Sequence, residues 1–409
     1  MKTEASTFET DAEFVLRRLR NAFAGVIEAL PALVKRPHDL GRVLDIDKQL
    51  SWRIFKVARE SDPFTAARHL PGQAGVRIFL EAAARNGVSS ELTGTVAKAL
   101  EEFDKLIGLH AGDRTSLEMM VNAKARSGRE DADSVYRKAA FRGNSYIWGV
   151  QAKAQLKTDI LLPAPEKGVL DICSLRGFIG LRRLRANVSW VVARGRCVDN
   201  DGESRRGFVR EPLDSVGDPE GTMDVPLLRG FCSTPLPQFR RVAGQHGFVE
   251  DELVEGPVGD TAALTCITAE VCRGVASYYR DEHNRFGEVI SRVRTPCEVL
   301  IFDQLVHEDI FGRLHPELAV YGELADSGPF PVGGRHRNLL EVSEKVEYLG
   351  KGTSGLHTPH VPRYAEMARY VFDRLRCDAD RFDVYRVRMR YPMIPASVVM
   401  RCELPERPA

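Results

Sequence analysis

Three short segments of the sequence carry residue types that could do chemistry at a usable spacing. Asp303 and His307 lie four residues apart, so on a helix they would form a hydrogen-bonded acid and base. His357 and His360 could share a metal ion, and residues 350–355 follow the GxGxxG pattern of dinucleotide-binding loops. Each segment needs a further feature before it could work as a site.

Those further features are missing from the surrounding sequence. No nucleophile motif such as GxSxG accompanies Asp303 and His307. Pro359 and Pro362 disfavour a helix in this segment. Without a helix, the two histidines are not aligned on one face. A dinucleotide site would also need a helix that begins at the third glycine. The eight cysteines form no CxxC pair, so free thiols are expected rather than zinc ligands. The sequence therefore predicts no catalytic residue, no metal site, no cofactor and no enzyme.

Length and composition indicate a globular protein with more than one domain. A chain of 409 residues suggests two or three domains, and 43% hydrophobic with 28% charged residues can bury a core. Lysine and arginine number 58 and acids 57, so the net charge of +1 excludes a polybasic protein. The polar, acidic start is unlike a signal peptide, and no apolar run reaches the roughly 18 residues of a membrane span. A soluble cytoplasmic protein, not bound to a membrane, is expected.

Residues 1–142 are predicted to be helical almost throughout. Thr10 and Glu13 have capping-box spacing and open an apolar periodic stretch that continues to Leu30. Pro31 bends or ends that helix. Further helices are expected at 37–45, 47–60, 62–70, 73–86, 90–108 and 115–124.

Residues 143–409 are predicted to form a β-rich α+β domain. Glycine, proline and β-branched residues punctuate short apolar runs in this part of the chain. Helices are expected to interrupt the strands at 338–348 and 363–376. A loop-rich stretch near 199–225 is a candidate split of the domain.

Near the carboxyl end, the sequence predicts a strand with a basic outer face. Apolar residues from Tyr385 to Tyr391 alternate with Arg386, Arg388 and Arg390, which is the period of a half-buried strand. Residues 397–404 are expected to pair with this strand as a hairpin or a neighbour.

Residues 37–59 have the spacing that a helix-turn-helix requires. A short first helix ends near Leu44 and carries the small residue Gly41 where the second helix would cross. Residues 45–47 form a tight turn around Ile46, and Asp47 is a candidate N-cap. The second helix would pack inward through three apolar residues, Leu50, Ile54 and Val57.

This segment resembles the helix-turn-helix of bacterial transcriptional regulators, whose usual pattern is Leu-Ala-x-x-Leu-Gly-Val-Asp, then polar residues, an apolar residue and arginine. The resemblance covers residues 37–59, which are 23 of 409 residues. Asp45 stands where the turn glycine is common, and Ser51 where an apolar residue is usual. The resemblance implies that the second helix enters the major groove of DNA. A dimer is expected, because one such motif reads only a few base pairs.

The local charge agrees with contact to DNA phosphates. Residues 17–59 contain ten basic and four acidic side chains, a net of +6 in a chain whose total is +1. In this interpretation Gln49 would read adenine and Arg53 guanine, while Lys48, Lys56 and Arg42 would meet phosphates. The predicted DNA-binding residues are Arg42, Lys48, Gln49, Arg53, Lys56 and Arg59.

A second basic stretch near the domain junction has two interpretations. It could extend a nucleic-acid surface, or it could pair with the acids of residues 249–255. Its members are Arg137, Lys138, Arg142, Arg176, Arg182, Arg183 and Arg185.

The sequence thus predicts a DNA-binding transcriptional regulator. An all-α helix-turn-helix domain, residues 1–142, would bind double-stranded DNA. The β-rich α+β domain, residues 143–409, would sense a small-molecule effector, hold a homodimer together, or both. The alternative is a non-enzymatic protein-interaction or assembly protein with a helical docking domain. In that case, residues 37–59 are two packed helices with solvated basic faces.

Overall fold

The computed structural model describes residues 7–124, 129–195, 210–214, 225–243, 249–282, 285–311, 314–323 and 335–407. The chain divides into two compact units, unit 1 (residues 1–133) and unit 2 (residues 134–409). Helices and large mixed sheets make the protein an α+β, multi-domain chain. None of the described helices is both long and apolar enough to cross a membrane.

The described residues of unit 1 form helices joined by short turns. These helices are α1 (Phe8–Glu28), α2 (Pro37–Leu44), α3 (Lys48–Arg59), α4 (Pro63–Ala67), α5 (Gln73–Arg85), α6 (Ser90–His110) and α7 (Arg114–Lys124), and α8 (Arg129–Trp148) follows and ends in unit 2. Their apolar faces share one core, in which the rings of Phe23 and Phe79 stack with centroids 5.5 Å apart.

Side chains placed just before the helices satisfy their first N–H groups. At α1 the hydroxyl of Thr7 accepts from the N–H of Thr10, so Thr10 lies inside the helix rather than at the predicted cap. At α3 the carboxylate of Asp47 accepts from the N–H groups of Gln49 and Leu50, which confirms the predicted N-cap.

Unit 2 is built mainly from strands. They are β1 (Val150–Pro163), β2 (Val169–Arg183), β3 (Trp190–Gly195), β4 (Arg210–Pro212), β5 (Phe239–Ala243), β6 (Val249–Leu253), β7 (Leu264–Ser277), β8 (Phe286–Val293), β9 (Cys297–His307), β10 (Glu317–Gly322), β11 (Leu339–Leu340), β12 (Glu347–Lys351), β13 (Phe382–Arg390) and β14 (Ala396–Glu403). Within the described residues of unit 2, two α-helices follow the end of α8: α9 (Glu308–Phe311) and α10 (Tyr364–Leu375). The helix predicted at 363–376 is therefore confirmed as α10.

The described strands form three sheets. A seven-stranded sheet has the order β12-β13-β9-β1-β2-β7-β4, a four-stranded sheet the order β11-β10-β14-β8, and a three-stranded sheet the order β3-β6-β5. Strands β1 and β9 are parallel neighbours at the centre of the largest sheet. One apolar cluster joins that sheet to α10, and another joins it to the four-stranded sheet.

The helix predicted at 338–348 is wrong. This stretch contains β11 and the start of β12, and residues 341–346 between them form no regular element. Exposure alternates along it, so that Val342, Glu344 and Val346 are half-buried while their neighbours are exposed. Both valines pack on the core of unit 2, and Glu344 bonds Arg137. The period-2 pattern of these residues, rather than their helix propensity, therefore decided the conformation.

The structure also changes two other predictions about unit 2. Asp303 and His307 lie on strand β9, so they are separated by roughly 13 Å along the strand and do not form the acid–base pair of a helix. The strand at 397–404 is β14, but it belongs to the four-stranded sheet and does not pair with β13. Both edges of β13 are taken by β9 and β12. Of the candidate split near 199–225, only residues 210–214 and 225 lie within the described residues.

Candidate nucleic-acid interface

Helices α2 and α3 are joined by a tight turn, residues 45–47. Asp45 has a left-handed backbone, with φ of 53° and ψ of 49°. Aspartate is one of the few residues besides glycine that adopt this conformation readily, so it can take the place of the usual turn glycine. The N–H of Ile46 donates to the carbonyl of Gly41 and closes the end of α2.

Gly41 and Ser51 lie against each other where α2 meets α3. A methyl group on Gly41 would lie 3.0 Å from the Ser51 hydroxyl oxygen, so a large side chain there would push the helices apart. Ser51 is buried, and its hydroxyl donates to the carbonyl of Lys48. Because the hydroxyl is satisfied inside α3, serine fits a buried position that is usually apolar.

Three of the predicted DNA-binding side chains are exposed on either side of the turn between α2 and α3. Lys48 and Gln49 lie in the first turn of α3, and both are exposed. Arg42 is 73% exposed on α2, and its guanidinium lies 3.6 Å from the Asp39 carboxylate, an exposed ion pair of little strength. The structure therefore leaves these three side chains accessible to a partner.

Arg53 is placed differently from the other predicted contacts. Its guanidinium donates to the carbonyls of His69 at 3.3 Å and Leu70 at 3.0 Å, just after α4. These bonds satisfy backbone carbonyls of the segment that follows α4, which is a structural task. To read guanine, Arg53 would have to break both bonds.

The middle of α3 carries an exposed aromatic ring within a cationic neighbourhood. Trp52 is 42% exposed, and its ring meets His69 edge-on with centroids 5.1 Å apart. Burial lowers the pKa of His69, and the nearby charges of Lys56 and Arg68 lower it further. Lys56 itself is half-buried. Burial and these neighbouring cations thus disfavour the charged form of the imidazole, against the opposing charge of Glu60.

Arg59 lies at the carboxyl end of α3. Its guanidinium is 3.7 Å from the Glu28 carboxylate, and both side chains are exposed. Such a pair contributes little stability in water, so the arginine could exchange this partner for a phosphate.

The comparisons with known proteins do not identify this chain. No family model matches the sequence, and no curated protein matches it. A solved structure described as a "putative protease" from Parabacteroides distasonis ATCC 8503 aligns with 63% of this chain at 9% identity and a TM-score of 0.27. The aligned part is 41% of that protein's length. A likeness of this size carries no argument about fold or function.

Most of the second basic stretch is occupied within unit 2. Arginines 137, 176 and 182 pair with Glu344, Glu270 and Asp260. Arginines 183 and 185 donate to backbone carbonyls. None of these three acids belongs to the predicted partner region, residues 249–255; Asp260 lies beyond its end. Lys138 and Arg142 remain exposed on α8.

A buried polar network pins α10 to the seven-stranded sheet. The Arg386 guanidinium bonds both carboxylate oxygens of Asp303, at 2.8 and 2.7 Å. The Tyr364 hydroxyl donates to Asp303 at 2.7 Å and lies 2.7 Å from the hydroxyl of Thr158. Burial raises the pKa of Asp303, and Arg386 opposes that shift. Arg386 was predicted on a basic outer face; it is buried instead, because α10 covers this part of β13.

A second polar network lies on strands β1 and β2. The ammonium of Lys157 donates to the Asp159 carboxylate and to the Ser174 hydroxyl, and Ser174 donates to Asp159. All three side chains are largely buried, and burial lowers the pKa of Lys157 while Asp159 opposes the shift. Sequence reasoning missed this network. The signal was a pair of opposite charges, Lys157 and Asp159, two residues apart and therefore on the same face of a strand.

Histidine and cysteine side chains are candidate metal ligands. In the described part of the chain, no group of three or more candidate ligands could hold a metal ion. Seven cysteines are described there, and all are free thiols. Burial raises the pKa of Cys266 and of Cys297 to about 12, so these thiols stay protonated at neutral pH.

Proposed function

We propose that this chain is a DNA-binding transcriptional regulator in which α2 and α3 form a helix-turn-helix. The observation that carries the proposal is the joint between these helices: a left-handed residue at Asp45 and close packing of Gly41 on Ser51. The first turn of α3 then offers Lys48 and Gln49 to the major groove. Unit 2 would sense a small-molecule effector, hold a homodimer together, or both.

Within this proposal the predicted residues take different tasks. Gln49 would bond adenine, since its amide both donates and accepts. Lys48, Lys56, Arg42 and Arg59 would contact phosphates, which position the protein without reading sequence. Arg53 would act as a positioning residue, because it holds the carbonyls of residues 69 and 70 beside α3.

The first prediction concerns Lys48→Ala/Gln49→Ala. We expect roughly tenfold weaker binding to a mixed-sequence duplex and a salt slope that is smaller by about 0.9, because one phosphate contact is lost. The measurement is fluorescence anisotropy across a salt series. Arg53 is left intact, so that the loop after α4 stays in place.

A matched control separates this result from a simple loss of charge. Arg77→Ala on α5 removes the same charge from another helix of unit 1, where Arg77 is 75% exposed. It should bind DNA like wild type. Equal losses in the two variants, or no binding by wild type at low salt, would exclude α3 as a recognition helix.

A second candidate, a non-enzymatic interaction or assembly protein, is favoured by a different observation on α8. This helix exposes Val135, Tyr146 and Ile147 at 67%, 81% and 63%. Val135 and Tyr146, eleven residues apart, lie on the same side of the helix, and Ile147 lies next to Tyr146 around the helix. A second copy of the chain is the partner that would cover these exposed apolar side chains in either candidate, since a helix-turn-helix regulator is also expected to be a dimer.

The second prediction tests that partner. We expect wild type to be a dimer by light scattering, and Tyr146→Ser/Ile147→Ser to be a monomer at the same concentration. Leu33→Ser, which removes an equally exposed apolar side chain from unit 1, should leave the dimer intact. A dimer that survives the α8 substitutions does not use Tyr146 and Ile147, and a monomeric wild type removes the homodimer from the proposal.

A further inference from the structure

Two distant parts of unit 2 bring cations to the same aromatic residue. The ammonium of Lys138, on α8, lies 5.7 Å from the centre of the Tyr391 ring. The guanidinium carbon of Arg390, on β13, lies 5.8 Å from that same centre. Tyr391 is buried, and both exposed cations lie within cation–π distance of its ring.

Arg388 extends this cluster along β13. It precedes Arg390 by two residues, so both side chains leave the same face of the strand, roughly 6.8 Å apart. Both are exposed, unlike Arg386 on the same face. Within the described residues, neither Arg388 nor Arg390 lies at ion-pair distance from a carboxylate. Most other arginines of unit 2 bond an acid or a carbonyl, so these two stand apart.

His360 reports the electrostatic potential at this cluster. Burial lowers its pKa, and the charges of Arg388 and Arg390 lower it further, while Glu298 opposes them. At His360, therefore, the charges of two arginines oppose that of one acid, so positive charge predominates there. Such a surface attracts an anion with more than one negative charge.

We infer that Lys138, Arg388 and Arg390 form a second contact of this protein with the phosphate backbone of duplex DNA. Two exposed arginines on one face of a strand can face neighbouring phosphates of a DNA backbone, and Lys138 adds a third cation beside them. The contact would be independent of sequence, because none of the three side chains is needed to reach a base edge. The inference rests on the proposed function, to which it adds a DNA contact in unit 2.

The test compares two triple variants in the full-length protein. Lys138→Gln/Arg388→Gln/Arg390→Gln removes the cluster. Arg240→Gln/Arg285→Gln/Arg374→Gln removes the same charge from exposed arginines of unit 2 that bond acids. The readout is anisotropy with mixed-sequence duplex DNA over a salt series. Circular dichroism verifies that both variants are folded.

We expect the cluster variant to bind at least roughly tenfold more weakly at 0.1 M salt. Its salt slope should be smaller by about 0.9 for each lost phosphate contact. The control variant should match wild type. A cluster variant that binds like the control overturns the inference, even if Lys48→Ala/Gln49→Ala is impaired. The reverse result, in which the cluster matters and the α3 residues do not, overturns the recognition helix and keeps this contact.

Discussion

Arg386→Met is expected to lower the free energy of unfolding of unit 2 by about 3–5 kcal/mol. The substitution leaves the carboxylate of Asp303 buried without its cation, and Asp303 is fully shielded from water. It also removes the bond from Arg386 to the carbonyl of Leu356, which anchors the segment before α10. The cost comes mainly from the uncompensated charge, since the pair itself was expensive to desolvate.

Urea unfolding followed by tryptophan fluorescence measures this loss. Trp148 and Trp190 lie in unit 2 and Trp52 in unit 1, so a Trp52→Phe background restricts the signal to unit 2. Arg374→Met breaks an ion pair with Asp214 that is half-exposed, and should cost no more than about 1 kcal/mol.

A double substitution distinguishes a buried charge from lost packing. Asp303→Leu/Arg386→Met removes both charges together, so we expect it to be clearly more stable than Arg386→Met alone. If the single and double variants unfold at the same urea concentration, the ion pair is not what holds α10 on the sheet. A loss below about 1 kcal/mol for Arg386→Met leads to the same conclusion.

Secondary structure could be predicted best for helices that bury one periodic apolar face against a single core. The helices of unit 1 begin and end within a few residues of the predicted bounds, because each buries an i, i+3, i+4 stripe. The N-cap Asp47 could be recognised from its position alone, whereas Thr10 could not be distinguished from the true cap Thr7. Both threonines precede a helical stretch, and only the conformation of the chain decides between them.

Prediction from the sequence failed where a strand is buried on both faces, and where a side chain bonds residues that are far away along the chain. Strand β9 is buried along nearly its whole length, so it shows no alternation, and Asp303 and His307 could be taken for neighbours on a helix. The carbonyl partners of Arg53 lie 16 and 17 residues further along the chain. Similarly, Lys138 and Arg390 meet only through the tertiary fold. Composition gives no sign of such contacts, because they depend on topology.

Gly177→Ala is expected to destabilise unit 2 by about 3 kcal/mol, because strand β2 has no room for a side chain at this position. Gly177 pairs with Ile267 of β7. A methyl group there would overlap the carbonyl oxygen of Cys266 and lie 2.7 Å from the Ile267 side chain. Backbone atoms cannot rotate away as a flexible side chain can, so the two strands would have to separate.

Gly143→Ala adds the same methyl group, but we expect it to stabilise the protein rather than destabilise it. Gly143 lies on exposed α8 with nothing within 4 Å of the added methyl, so alanine should stabilise the helix by about 0.5–1 kcal/mol. Both variants are measured by urea unfolding in the Trp52→Phe background. Equal stabilities for Gly177→Ala and wild type would mean that β2 and β7 are not in close contact at this pair. A loss with Gly177→Ala beside a gain with Gly143→Ala would instead attribute the effect to strand packing, since backbone entropy alone favours alanine in both cases.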